Sequence, residues 1–261
     1  MEEVTGVNRG VSKAELGKAE PSMTKQQAQF TNPKVSGFSL YKELSVGDGT
    51  WISLLGYELS MLLFNNLPGI VGYGSRAFLY PYLFKNCGKR PGIGRGLILR
   101  QPNKITLGKG VLIDDFATLD VRGDGGSITL GDHVTVGRFT TVVSKDANIV
   151  LGNGVNVGSY ARIASQSKVE IGESTLIAAY AYIGPGNHQL GDDSKPMIEK
   201  DMEVKGGVKI GAHAWIGARA TILDGVTIGA RAIIGAHSLV KDDVPDGAIA
   251  VGSPAKIIKK I

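Results

Sequence analysis

Ile210-Gly211-Ala212-His213-Ala214-Trp215-Ile216-Gly217-Ala218-Arg219-Ala220-Thr221-Ile222 is the stretch that decides the fold. Its large aliphatics stand at 210, 216 and 222, and the small residues Ala214 and Ala220 each follow an aliphatic by four positions. A period of six matches neither the helical repeat of 3.6 nor the alternation of a long half-buried strand. It suits very short strands joined by tight corners, with the aliphatic and the small residue both pointing inward.

The pattern extends in both directions. It continues through Ile228, Ile234 and Val240, and it is met earlier at Leu107, Ile113 and Leu119, then Leu130, Val136 and Val142. Leu151, Val157 and Ile163 follow, then Ile171, Ile177 and Ile183. Small or β-branched residues keep the second column at Val134, Thr140, Val155, Ala161, Ser167, Thr175, Ala181, Val226, Ala232 and Ser238. Three hexads make one triangular coil, and coils stack so that equivalent residues lie over one another. The expected fold is an all-β solenoid, a parallel β-helix of hexapeptide repeats with an N-terminal helical leader. Many of the 37 glycines fall just after the aliphatic, where they are expected to supply backbone freedom at the corners.

Three segments are expected. Residues 1–37 are polar and aperiodic and read as a disordered arm. Residues 38–104 read as a helical, basic leader, and residues 105–261 as the repeat domain with a loop over 189–207. In the leader, Thr50 caps a helix from Trp51 to Phe64, ended by Asn65, Asn66 and Pro68-Gly69. Ser75 is expected to cap a second helix carrying Phe78 to Phe84, kinked at Pro81. The first helix is too short and too interrupted (Glu58) to span a bilayer. No acidic residue occurs from Leu59 through Ile113, while Arg76, Lys85, Lys89, Arg90, Arg95, Arg100, Lys104 and Lys109 do. Such one-sign charge favours anionic partners. With the apolar run before it, this predicts a peripheral membrane contact through residues 51–109, the alternative being that the leader only caps the end of the solenoid; nucleic acid is not expected. The single cysteine, Cys87, excludes an internal disulfide framework and a cysteine-based zinc cage. The opening residues lack the basic-then-apolar form of a signal peptide. The expected location is cytoplasmic, at the inner face of the membrane.

Solenoids tend to do chemistry where their regularity breaks. The large break lies between Ile183 and Ile210, beginning Gly184-Pro185-Gly186-Asn187-His188. His188 is the last repeat residue before the excursion, at an outward position, where a neutral imidazole can accept a proton near pH 7. Trp215 is the second anomaly, a large aromatic at an outward position. His133, His213 and His237 read as surface residues.

The repeat, its break and the segments Asp224-Gly225-Val226-Thr227-Ile228-Gly229 and Gly252-Ser253-Pro254-Ala255-Lys256 together resemble the hexapeptide-repeat, or left-handed β-helix, acyltransferase family. The likeness covers residues 105–261 and is nearest to the maltose, galactoside and surface-polysaccharide O-acetyltransferase branch. It implies a left-handed coil, a homotrimer with sites between subunits, acetyl-CoA as co-substrate, no metal, and a sugar or saccharide acceptor. It also implies His188 as catalytic base. The implied CoA contacts are Trp215, Gly217, Ala218, Ala236, Lys241, Asp242, Lys256 and Lys259. The implied acceptor contacts are Gln166 and Asn187. Gln166 stands where galactoside acetylases carry a sugar-binding carboxylate, and Gly158 replaces another polar contact, so the acceptor is expected to differ from a galactoside. Two other readings of the same solenoid are a non-catalytic scaffold and a zinc hydratase. The hydratase needs three convergent imidazoles, and His188 and His213 occupy different hexad positions.

Overall fold

A computed structural model of the chain describes residues 27, 31–184, 186–189 and 195–260. Most of the arm expected over residues 1–37 lies outside the described residues.

Parallel strands form a three-sided solenoid. Two faces carry seven strands each and the face between them, which we call the second, carries nine. Each inward column is the aliphatic of one hexad lying over the next. On the first face Leu107, Leu130, Leu151, Ile171, Ile210 and Ile228 are in register. The second face stacks Ile113, Val136, Val157, Ile177, Ile216 and Ile234. The third stacks Leu119, Val142, Ile163, Ile183, Ile222 and Val240. All eighteen are buried, at 3% exposure or less. Burying each such side chain contributes about 1.5–3 kcal/mol, and this is the main force holding the coils together. The few polar residues of the small column are satisfied: Thr140 Oγ1 donates to Gly158 O at 2.7 Å, and Thr175 Oγ1 to Gly211 O at 3.0 Å.

The repeat begins earlier than residue 105. Strands Asn86–Cys87, Gly92–Ile93 and Ile98–Arg100 form a first coil, in register with Ile105–Leu107, Leu112–Ile113 and Thr118–Arg122. Cys87, Ile93 and Leu99 are again six apart. The signal is masked by a cysteine at an aliphatic position and by the short 3-10 turn Pro102–Lys104, which breaks the count before Leu107.

The glycine expectation requires a correction. The left-handed corners are occupied largely by other residues, among them Phe116, His133, Phe139, Tyr160, Tyr180, His213, Arg219 and His237, with φ between 57° and 62°. The glycine after the aliphatic serves close approach instead. A Cβ on Gly217 would lie 2.6 Å from Ala236 N in the next coil. His133, His213 and His237 are exposed corner residues.

Three helices cover the N-terminal end of the solenoid: α1 (Gly37–Val46), α2 (Trp51–Phe64) and α3 (Gly69–Leu79). Thr50 caps α2 as expected, its side chain accepting from Ser53 N at 3.1 Å. The next helix begins earlier than expected, behind Pro68. Ser75 lies inside it and donates to Val71 O, while Pro81 falls in a separate 3-10 turn, Tyr80–Tyr82. The cap satisfies backbone groups that the first coil would otherwise leave open. Tyr57 Oη donates to Leu99 O at 2.9 Å, Gln101 N to Ser45 O at 2.8 Å and Gly96 N to Asn65 O at 2.8 Å. Burial pushes the Tyr57 and Tyr80 phenols up to about 12, so both stay protonated donors at ordinary pH.

Arg76, counted with the basic surface at the sequence level, is internal. Only 3% exposed, it donates from Nε to Ile93 O at 3.0 Å and from one terminal nitrogen to Phe64 O at 2.9 Å and Leu67 O at 2.8 Å. It ties both ends of the α2–α3 connection to the first coil, and its burial without a carboxylate partner lowers its pKa. Arg76→Met keeps most of the volume but strands three carbonyls, and should destabilise the cap by roughly 2–4 kcal/mol. Solenoids melt piecewise, so Trp51 fluorescence should report an early transition while far-UV circular dichroism keeps the main one. A single unshifted transition in both signals would contradict this role.

Candidate active site

The chain leaves the solenoid after the strand Tyr182–Gly184 and returns at Val208–Ile210. The excursion is hydrogen-bonded at its root. Asn187–His188 pairs antiparallel with Met202–Glu203, His188 opposite Met202, and Gln189 N donates to Asp201 O at 3.0 Å. The side chains of Asn187 and His188 lie outside the described residues; their backbone stands at the corner between the third and first faces. Gly186, at φ +118°, makes the departure possible. A Cβ there would lie 2.9 Å from Met202 Cε and 3.5 Å from Gln166 Oε1, so the half-buried Gln166 sits beside the strand that carries His188.

Asp224 holds the returning end. It is 7% exposed and accepts three hydrogen bonds: from Ser167 Oγ at 3.1 Å, Lys205 N at 2.6 Å and Gly207 N at 2.8 Å. One carboxylate thereby joins the coil below the excursion, the excursion's last residues and the coil above. Gly207 is required at this junction: φ is +99° and a Cβ would lie 2.0 Å from Lys168 O. Sequence reasoning treated Asp224 only as part of a motif. The available signal was an acidic residue in the corner column that earlier coils fill with the buried Ser144 and Ser165. A shallow cleft of about 220 Å³ beside the junction is lined by Lys168, Lys205, Lys209 and Glu170, with Lys168 Nζ 2.6 Å from Glu170.

The residues that the resemblance assigns to CoA divide between two places. Trp215 is 49% exposed on the second face, in register with Leu176 on one side and Ile233 on the other. That outward column continues through Ile249 to Lys259 on the final antiparallel strand, Ala255–Lys260, where Lys256 pairs with Val251. Gly217, Ala218 and Ala236 stack at the adjoining corner between the second and third faces, where His237 N donates to Ala218 O at 2.9 Å. Lys241 and Asp242 form an exposed ion pair of 2.9 Å immediately after Leu239–Val240, at the same corner as His188. In a three-sided prism the corner bearing His188 is opposite the second face. A single chain therefore does not bring His188 together with Trp215, Lys256 and Lys259.

A feature absent from the sequence reading runs along the corner of Ala218. Phe116, Phe139, Tyr160 and Tyr180 stack at centroid distances of 5.2, 4.9 and 4.9 Å, with Arg219 5.1 Å above Tyr180. One aromatic per coil, directly before the small inward residue, was the signal. The ring faces are spent on one another, so the ladder stiffens this corner and orients Arg219 next to Ala218. Among the described residues no three His, Cys, Asp or Glu side chains gather as a metal site.

Comparison with known proteins agrees with this architecture. Residues 207–242 match the family described as bacterial transferase hexapeptide (six repeats). An Escherichia coli protein, WbbJ, whose name assigns it to lipopolysaccharide biosynthesis as an O-acetyl transferase, is 36% identical over 147 residues. That match covers 54% of this chain and 74% of WbbJ. A Mycobacterium tuberculosis protein named as an acetyltransferase is 34% identical over 166 residues, which is 62% of this chain and 53% of the relative. The chain thus spans about half the length of the mycobacterial protein. The crystal structure of the polySia-specific acetyltransferase NeuO has the same fold, with a TM-score of 0.52 at 23% identity over 67% of this chain and 80% of that one. The chain belongs to the hexapeptide-repeat acyltransferase family.

Proposed function

We propose that the chain transfers an acetyl group from acetyl-CoA to a hydroxyl or amine of a sugar or surface-polysaccharide precursor, with His188 as general base. It works as a homotrimer in the cytoplasm, at the inner face of the membrane. The imidazole takes the acceptor proton as the oxygen or nitrogen attacks the thioester carbonyl. The tetrahedral intermediate then expels the thiolate, which receives that proton, and no covalent enzyme intermediate is needed. Such acid–base assistance contributes about 10²–10⁴-fold, and positioning contributes more.

The observation that supports this reading is one of height. Trp215 lies on the coil stacked directly over the one from which His188 departs, because Leu176 pairs with Trp215 and Tyr182 with Thr221. Trp215 therefore stands about 4.8 Å along the solenoid axis from Leu176 of the coil that His188 leaves, though His188 and Trp215 stand on opposite sides of that axis. Rotation about a parallel three-fold axis leaves height unchanged. One protomer's excursion then faces its partner's second face at the level of the exposed tryptophan, with the partner's Lys256 and the partner's Lys259 further along. A scaffold would need neither a clamped excursion nor an unpartnered tryptophan at that level.

The test is thiol release and label transfer from acetyl-CoA to a panel of soluble saccharides; no transfer above thioester hydrolysis would overturn the proposal. Trp215→Ala should raise KM for acetyl-CoA by roughly tenfold with kcat within a few-fold, as expected for loss of a binding contact.

A further inference from the structure

We infer that the α2–α3 hairpin is a monotopic docking surface for an anionic lipid bilayer, seating the N-terminal end of the solenoid on the membrane. Residues 51–82 contain one carboxylate, Glu58, and one guanidinium, Arg76. Glu58, half-buried, accepts a surface hydrogen bond from Tyr41 Oη at 2.5 Å, and Arg76 is buried among carbonyls. Apart from that hydrogen-bonded carboxylate, the hairpin presents no charge at its surface.

What it does present is apolar. On α2 the inner side is Leu54, Tyr57, Met61 and Phe64; Leu54 is buried and the other three pack on the solenoid core. The opposite side, Ile52, Leu55, Leu59 and Leu62, is equally apolar and faces outward, with Ile52 82% and Leu62 80% exposed. On α3, Ile70 is 87% and Phe78 69% exposed. A contiguous apolar surface of this kind marks an interaction site.

Charge identifies the occupant. Lys85, Lys89 and Arg90 are exposed on the first coil, which the hairpin covers, and Lys109 is exposed on the next. Among the described residues none of these pairs with a carboxylate. An apolar face beside unpaired cations matches an acyl-chain boundary beneath anionic headgroups, where each lysine or arginine strengthens attachment about fivefold. A second copy fits less well, because a two-fold contact sets this basic stretch against itself. Spanning is excluded for this hairpin: α2 has 14 residues, about 21 Å of helix, and no helix among the described residues is long and apolar enough to cross.

The seat also sets a reach. His188 leaves the fifth coil, four coil spacings from the first, so the excursion stands roughly 19 Å from the capped end. This deepens the proposed function and rests on it for substrate class alone: the acceptor would be a lipid-linked saccharide whose reactive unit projects well clear of the headgroups.

The experiment is flotation of the full chain with phosphatidylcholine vesicles, with and without phosphatidylglycerol. The wild type should float with the anionic vesicles and lose them in high salt. Ile52→Asn with Leu62→Asn, both at exposed positions, should lower partitioning tenfold or more while the melting temperature holds. Lys85→Glu with Lys89→Glu should remove the preference for phosphatidylglycerol by about 25-fold or more. Trp51 emission in a Trp215→Phe background should shift to the blue with anionic vesicles. The inference is overturned by a wild type that stays in solution with every vesicle, or by anionic flotation that survives the Ile52 and Leu62 changes. It is also overturned if those changes reduce oligomeric mass without any vesicle binding, the mark of a second copy. Turnover on a soluble saccharide should be unaffected by the Ile52 and Leu62 changes and by the Lys85 and Lys89 changes. Absence of turnover from a chain that floats would count against the transferase reading and leave the docking surface standing.

Discussion

Replacing His188 by alanine should leave the oligomeric state and the affinity for acetyl-CoA intact while lowering kcat about 10²–10⁴-fold, the range for losing a positioned acid–base group. The expectation follows from where the residue stands. It lies one residue pair into a short antiparallel ladder, opposite Met202, so its backbone is held by the excursion's returning strand. None of the eighteen buried column residues is His188, so truncation should not disturb the stack. Two measurements check it together: equilibrium binding of CoA, expected unchanged, and steady-state turnover, expected to collapse. A variant with near-normal kcat would remove the base assignment even if the solenoid and its co-substrate remained as described.

Asp224→Ala should have the largest effect of any substitution that touches no reacting group. It withdraws the acceptor from the backbone N–H groups of Lys205 and Gly207 and from the Ser167 hydroxyl. Two backbone donors left unsatisfied at about 1–3 kcal/mol each predict a loss of roughly 2–5 kcal/mol, concentrated at the junction. A carboxylate binding three donors acts as a positioning residue here, since it holds the segment that follows the strand opposite His188. Displacement of a catalytic group by about 1 Å can cost 10²-fold in rate, so kcat should fall by about that factor with KM for acetyl-CoA little changed. Amide exchange across residues 202–207 should accelerate selectively. Asp224→Asn keeps one acceptor oxygen and should fall between the two. Wild-type exchange and turnover in the alanine variant would show that the clamp does not govern the excursion.

The sequence reading succeeded where one local rule repeats and failed where geometry is set by neighbours. The aliphatic columns were legible because each hexad obeys the same constraint, one large and one small inward residue per short strand. Thr50 was legible as a cap because capping is a contact within one turn. Ser75 misled, since a serine inside a helix can bond back to the preceding turn, as it does to Val71 O. The glycines after the aliphatics were noticed but given the wrong cause, because close approach of the next coil is a relation between residues about twenty apart. Asp224 gave little warning: its three partners come from three different segments.

The repeat period alone determined that this chain is a stacked solenoid, which residues face inward, and where regularity fails near His188. Those are properties of short-range spacing, and burial of the aliphatic columns enforces them whatever lies at either end. Tertiary structure decided what spacing cannot encode. It turned Arg76 from a surface charge into an internal tie, and it left the outer side of α2 bare. It also set the His188 corner and the Trp215 face on opposite sides of the prism. The physical reason is that these outcomes depend on which element covers which edge, and only the closed three-sided packing settles that.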